Sequence, residues 1–448
     1  MLKLHQSQGT LWDAILPEPL RSLPPELEQV DQLLDDERFL QPFLERFHTK
    51  KGRPTVPVET YLRLMYLKFR YELGYETLVR EVSDSLHWRR FCRINLDQKV
   101  PDATTLIKAR KRYGEETIRQ LNQALVQKLR EEKILKHRKL RTDTTVMEAN
   151  IQHPTDASLL RDAVTVITRT IRKIQQTASH AVEGFQDRTR EVKEHLFSMT
   201  KVLRRRCRES WEEVNRITQK VIEVTEAVCS QARQVLEKAK DKAQAHRQHL
   251  KEAIERTGRL LDQAKQVVSG NRIIPDRMVS FHDPDARPIK KGKLSKTTEF
   301  GYKVRIDETE SGFITGYEVY RGNPSDEALL LSAVENHRDL FGSLPHAVAA
   351  DRGFFSQKNE EQLTEMGVSY VSIPRRGKKS KRRTEYEGQP WFRNLQRFRA
   401  GGEAKISLLK RKYGLSRSRF RGHEGSKAWA GMGIMAHNLR KAVMMRAS

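Results

Sequence analysis

The sequence predicts an α/β protein with an all-α N-terminal domain and a long helical insertion. Three observations carry this. Apolar residues recur at the helical period over much of 27–132 and again near the C-terminus. Short runs rich in β-branched and aromatic residues, at 140–146, 299–308, 313–321, 347–353 and 368–373, read as strands. Between the first of these runs and the second lies a stretch with no proline from Pro154 to Pro275, patterned as long helices.

Charge narrows the partners. The 448 residues carry a formal net charge of +26 and a pI near 10. That excess favours a polyanion, with nucleic acid as the default. No apolar run approaches the roughly 20 residues that span a bilayer, and the N-terminus lacks the pattern of a secretory signal. Cys92, Cys207 and Cys229 are too few and too scattered for a zinc site or a disulfide framework, which fits a reducing cytoplasm.

In chain order, Pro17, Pro19, Pro24 and Pro25 break the start of an N-terminal segment, 1–53, into turns. Leu27 to Phe47 follows as a helix that Pro42 splits. The next segment, 54–135, opens a helix at Pro57-Val58-Glu59, is punctuated by Gly74, and continues as a helix over Tyr75 to Ser85. Asp102 caps a third helix carrying Lys108, Arg110, Lys111 and Arg112. Short helices ending on a basic one resemble a helix-turn-helix DNA reader; an ordinary packing domain fits equally. Thr117 to Glu132 is a further amphipathic helix.

Residues 136–155 hold the first strand, and Asp143 sits inside it, where acids are disfavoured. A cleft-facing Asp on a strand needs a partner, a proton or a metal; an edge-strand surface Asp does not. Residues 156–270 read as two or more long helices, coiled-coil-like, with Gly184 as a bend and Lys201 to Arg208 as a basic run able to touch DNA. From 271 on, Asp283 to Lys293 reads as a basic loop. A hairpin turns at Ser311-Gly312, and a helix spans Ser325 to Asn336. A short strand ends in Asp351-Arg352-Gly353. A carboxylate there is well placed for a ligand or metal, although a turn Asp has the same look. Lys378 to Arg383 reads as a solvated basic loop.

The last motif is Arg399-Ala-Gly-Gly-Glu403 running on to Lys410. Arg399, Glu403 and Lys410 are spaced four and seven apart, close to one helix face. One carboxylate among cations suits a site that holds a metal and grips phosphate; a chain of exposed i,i+4 pairs suits it too.

Strand with Asp143, insertion, hairpin, helix, strand with Asp351, then helix with Glu403: this order resembles the ribonuclease H-like core of the DDE transposases of bacterial insertion sequences. Leu140 to Val146, Ala350 to Gly353 and the Arg399/Glu403/Lys410 spacing are similar to that family's three acid segments. Its Tyr position is Gln396 here. Residues 54–95 resemble the helical domain that precedes this core. The resemblance implies a mixed sheet flanked by helices, with Asp143, Asp351 and Glu403 catalytic and holding Mg²⁺ or Mn²⁺, two ions in all. Arg399 and Lys410 would hold phosphate or terminal bases, and Lys108, Arg110, Lys111 and Arg112 would contact DNA. It further implies cleavage and strand transfer on double-stranded DNA (terminal inverted repeats and target), at least two protomers, and a bacterial, nucleoid-associated setting. A DNA-binding regulator with a dead site, or a nuclease that does not join strands, would keep most of these features.

Overall fold

The structure is a computed structural model, and it describes residues 1–4, 16–47, 54–205, 209–239, 244–290 and 298–446. It divides into two compact units, residues 1–150 with 301–448, and residues 151–300.

The first unit is built on strand β1, Lys139–Ala149, longer than the sequence run suggested. The short strand β2, Arg287–Lys290, is counted with the second unit and lies within the expected basic loop, whose Lys291 to Lys293 fall outside the described residues. β3 (Thr298–Thr309) pairs antiparallel with β1 and with β4 (Ile314–Tyr320), so the hairpin forms as expected. Gly312 sits in its turn at φ +76°, a conformation that glycine adopts at low cost. On the other side of β1, β5 (Ala347–Ala349) runs parallel, and β6 (Tyr370–Ser372) runs parallel to β5. A two-residue strand, β7 (Arg417–Ser418), pairs with the end of β1. The sheet is therefore mixed, as the resemblance implies. The expected helix at 325–336 starts as a 3₁₀ turn, Asp326–Leu329, and continues as Leu330–Phe341.

Helix His423–Arg446 is buried on nearly every side, with Trp429, Ile434, Met435 and Leu439 among its enclosed residues. The N-terminal helices close over it: Asn122 Nδ2 donates to the Gly431 carbonyl at 3.0 Å, and the Phe69 and Trp429 rings meet edge to face at 4.8 Å. Two boundaries differ from the sequence expectation. The break after helix Pro25–Leu34 falls at Asp35-Asp36, and Pro42 opens the next short helix rather than splitting one. The helices expected after Asp102 and after Thr117 are one element, Ala103–Glu131, bent at Gly114, whose φ of +77° breaks the helical path. The Asp102 cap is present, with its side chain accepting from the Thr105 N–H.

The second unit is a helical bundle. Asp156–Gln175, Thr189–Leu203, Glu209–Lys238 and Gln244–Val268 bury one apolar stripe each. Leu160, Val164, Ile167 and Ile171 pack with Val221, Val228, Leu250 and Leu260. Residues beyond 270 belong to it: Met278 and Phe281 join its core, and Arg277 pairs with Asp156 at 2.8 Å. Gly184, at φ +83°, falls between helices as the sequence suggested. In the basic run, Lys201 lies over the Phe197 ring, while Arg206, Cys207 and Arg208 fall outside the described residues. No helix among the described residues is long and apolar enough to cross a membrane.

Candidate active site

Strand periodicity places Arg141 and Asp143 on one face of β1, and their partners on β3, Glu308 and Ile306, share that face. Helix Pro390–Lys412 lies over it. Between them is a small open cleft lined by Arg141, Asp143, Ile306, Glu308, Arg399 and Gly402 among others.

Asp351 follows β5. The β1–β5 ladder ends at the Arg141–Ala349 pair, and Asp351 comes two residues later as the cap of a 3₁₀ turn, Arg352–Phe354. Its relation to Asp143 shows in the charges. Burial pushes the Asp143 carboxyl up to about 6, the Thr144 N–H and Arg399 pull it down, and the negative charges of Asp351 and Glu403 push it further up. The three acids named from the sequence thus share one electrostatic neighbourhood.

They do not form a ligand cluster. Among the described residues, no three His, Cys, Asp or Glu side chains are grouped as a metal site. Each carboxylate rests on a local donor instead. Asp143 Oδ1 accepts from Thr144 N at 2.7 Å, Asp351 Oδ1 from Gly353 N at 2.6 Å, and Glu403 Oε1 from Arg399 Nη1 at 3.2 Å on the exposed side of the helix. The i,i+4 pair foreseen as the plain alternative is therefore present. Lys410 lies half-buried about two turns further along the same helix.

Several residues that hold this arrangement were not singled out from the sequence. Arg141 donates to Glu308 Oε2 at 2.6 and 2.8 Å and to the carbonyl of Phe398, and its guanidinium covers the Phe398 ring. Lys405 Nζ stands 3.6 Å from the other Glu308 oxygen, near enough to pair but too far for a hydrogen bond. Arg141, Glu308 and Lys405 together clamp the helix to β1 and β3. Gly401 and Gly402 let the helix come down on Arg141, since a methyl group on Gly401 would lie 2.7 Å from Arg141 Nη1. That Gly-Gly pair inside a helix was the legible signal of a close approach. Gln396, at the position where the resemblance has Tyr, donates to the carbonyl oxygens of Ala350 (3.3 Å) and Ser372 (2.8 Å). It ties the helix to the strand end that carries Asp351. Asp326 accepts from Thr144 Oγ1 at 2.8 Å and pairs with Lys303 at 2.6 Å; nothing in the sequence marked it.

The basic residues of the N-terminal helices divide. Lys108, Lys111 and Arg112 are exposed, with Arg112 lying over the Phe47 ring. Arg110 is stacked on Phe420 at 3.6 Å and works inside the fold.

Comparison with known proteins agrees with this architecture. Residues 17–112 match the family model described as a transposase domain (DUF772), and residues 276–439 match the transposase DDE domain. The second match takes in Asp351, Arg399, Glu403 and Lys410, and Asp143 lies outside both. The uncharacterized protein ORF8 in nfe locus of Rhizobium meliloti is 30% identical over 152 residues, 33% of this chain and 70% of that protein. No solved structure matches. With one transposase model on its N-terminal helices and another on the strand and helix that carry Asp351 and Glu403, the chain belongs to the DDE transposases of insertion sequences.

Proposed function

We propose that the chain cuts DNA at the ends of a mobile element and joins the freed 3′ end to target DNA, with Asp143, Asp351 and Glu403 as the acidic residues that make the site. The observation that carries this is the Asp143 carboxyl, pushed up to about 6 by burial and by the charges of Asp351 and Glu403. A buried carboxylate in the cleft that feels the negative charges of two more acids favours a cation beside it, and the hard oxygen donors of the three fit Mg²⁺ or Mn²⁺. When bound, such ions supply Lewis acidity and activate a hydroxyl for in-line attack on phosphorus.

The chain's own groups supply the rest. Asp143 is fixed on β1, and Asp351 caps the turn that follows the parallel strand β5. Arg399 lines the cleft, pairs with Glu403 on the exposed side of the helix and offers its guanidinium to a phosphate. The Arg141–Glu308–Lys405 clamp and Gln396 keep the helix seated, so reacting groups meet a preorganised site. Water is the nucleophile for the nick, and the released 3′-hydroxyl for joining. End recognition falls to the N-terminal helices, with Lys108, Lys111 and Arg112 presented outward. At least two protomers act together to pair the ends.

The test uses a labelled terminal-repeat duplex with Mg²⁺ or Mn²⁺. Asp351→Asn and Glu403→Gln keep shape and remove charge. Each is expected to bind the duplex like the wild type and to nick it at least about a hundredfold more slowly, since even outer-shell partners of metal ligands are worth up to that much. Nicking at the wild-type rate by Asp351→Asn would overturn the assignment.

A further inference from the structure

Residues 374–388 follow β6 and reach the turn that carries Asp351. They contain seven Lys and Arg residues against two acids, Glu385 and Glu387. The sequence suggested a solvated loop through Arg383, but Ser380 caps a helix, Lys381–Gly388, that begins inside the run. The segment is braced from within. Glu387, 9% exposed, accepts from the Arg375 N–H at 2.9 Å, from Lys379 at 2.5 Å and from Arg383 Nε at 2.8 Å. Arg383 also takes both oxygens of Glu360, at 2.6 and 2.8 Å, and the Ile373 carbonyl at 2.6 Å. Glu360 and Glu387 are thereby consumed inside. Arg352, Arg375, Arg376, Lys378, Lys381 and Arg382 are exposed and have no carboxylate partner among the described residues.

This basic rim, in which Glu385 is the exposed acid, borders the site. Arg376 Nε donates to the Arg352 carbonyl at 2.9 Å. A methyl group on Gly353 would lie 2.8 Å from Asp351 Oδ1, 2.9 Å from Asp326 Oδ2 and 3.4 Å from Arg376 Nη2, so all three side chains crowd one glycine. The rim lies beyond the carboxyl ends of β5 and β6, the end of an α/β sheet where ligands bind. A braced loop of unpaired guanidinium and ammonium groups beside a phosphoryl-transfer site suits a phosphate backbone. It carries little that would read bases.

We propose that this rim is a track for the DNA phosphate backbone entering the active site, with Arg376 gripping the phosphate nearest Asp351. The proposal rests on the function proposed above. The triple variant Arg375→Ala/Arg376→Ala/Lys378→Ala leaves Glu387 and its bracing untouched. Its affinity for terminal-repeat duplex and for unrelated duplex is measured against salt, beside the wild type and Asp351→Asn. Each lost phosphate contact lowers the slope of log K on log salt by about 1. The triple variant is therefore expected to lose about 3 from the slope and to weaken on both duplexes by the same factor. The triple variant Arg375→Lys/Arg376→Lys/Lys378→Arg, which keeps charge, should keep the slope. An unchanged slope in the alanine variant overturns the track and leaves the proposed function standing. So does a loss confined to the terminal repeat, which would mean base reading. Absence of DNA binding by the wild type would overturn both.

Discussion

At Asp143 the chain carries an acid where folding works against its charge. Its carboxyl titrates near 6 in the folded chain against an ordinary 3.8. Between about pH 4 and 6 the folded chain therefore keeps a proton that the unfolded chain has lost, and stability falls as pH rises through that window. Above it the ionised group is a steady penalty on the order of 3 kcal/mol. Asp143→Asn should melt at a higher temperature than the wild type at pH 8, with the gap shrinking toward pH 4. A variant no more stable than the wild type at pH 8 would contradict this. The glycines give a second residue-scale test. Alanine raises helix propensity by up to about 1 kcal/mol over glycine. A methyl on Gly402 meets Arg141 at an ordinary 3.6 Å, whereas one on Gly401 meets it at 2.7 Å. Arg141 Nη1 cannot yield without loosening its grip on the Phe398 carbonyl. Gly402→Ala should therefore melt at a higher temperature than Gly401→Ala, and the reverse order would argue against the clamp.

Among the elements, strands and helices were largely legible because their patterns are local. β1, the hairpin and the site helix follow from β-branched runs, the turn at Gly312 and the spacing of apolar residues. What was not legible depends on partners far along the chain. Pro42 looked like a breaker and is a helix starter, because Asp36 had already capped the turn before it. Arg110 looked like a DNA contact and is stacked on Phe420, which no local pattern joins to it. Gln396 looked like a departure from the Tyr of the resemblance. Its amide spans the carbonyl oxygens of Ala350 and Ser372, so it seats the site helix on two strand ends. The Ser372 oxygen would keep the Ala350 N–H, but leaving the Ala350 carbonyl unpaired costs about 1–3 kcal/mol. Gln396→Leu should lower the melting temperature and slow nicking while DNA affinity holds. Wild-type nicking in that variant would show that the tie does not position the site.

The molecule as a whole is two compact units, the second of which begins at Ile151. Its far boundary was hidden because Met278 and Phe281, which complete its core, sit in a stretch without helical period. A bundle with its own buried core should fold alone: residues 151–290, expressed separately, are expected to show a helical spectrum and a cooperative thermal transition. A gradual, non-cooperative loss of helix would contradict that. The charge of +26 belongs to this scale too, and makes steep salt dependence of DNA binding the expectation. The order of motifs pointed to Asp143, Asp351 and Glu403, and in the structure Asp351 and Glu403 act electrostatically on Asp143 while each acid leans on a local donor. The most direct measurement of whether the three share a metal is a calorimetric Mn²⁺ titration of the wild type, Asp143→Asn, Asp351→Asn and Glu403→Gln. The account predicts binding by the wild type and clearly weaker binding by each variant; equal Mn²⁺ affinity in all four proteins would contradict it.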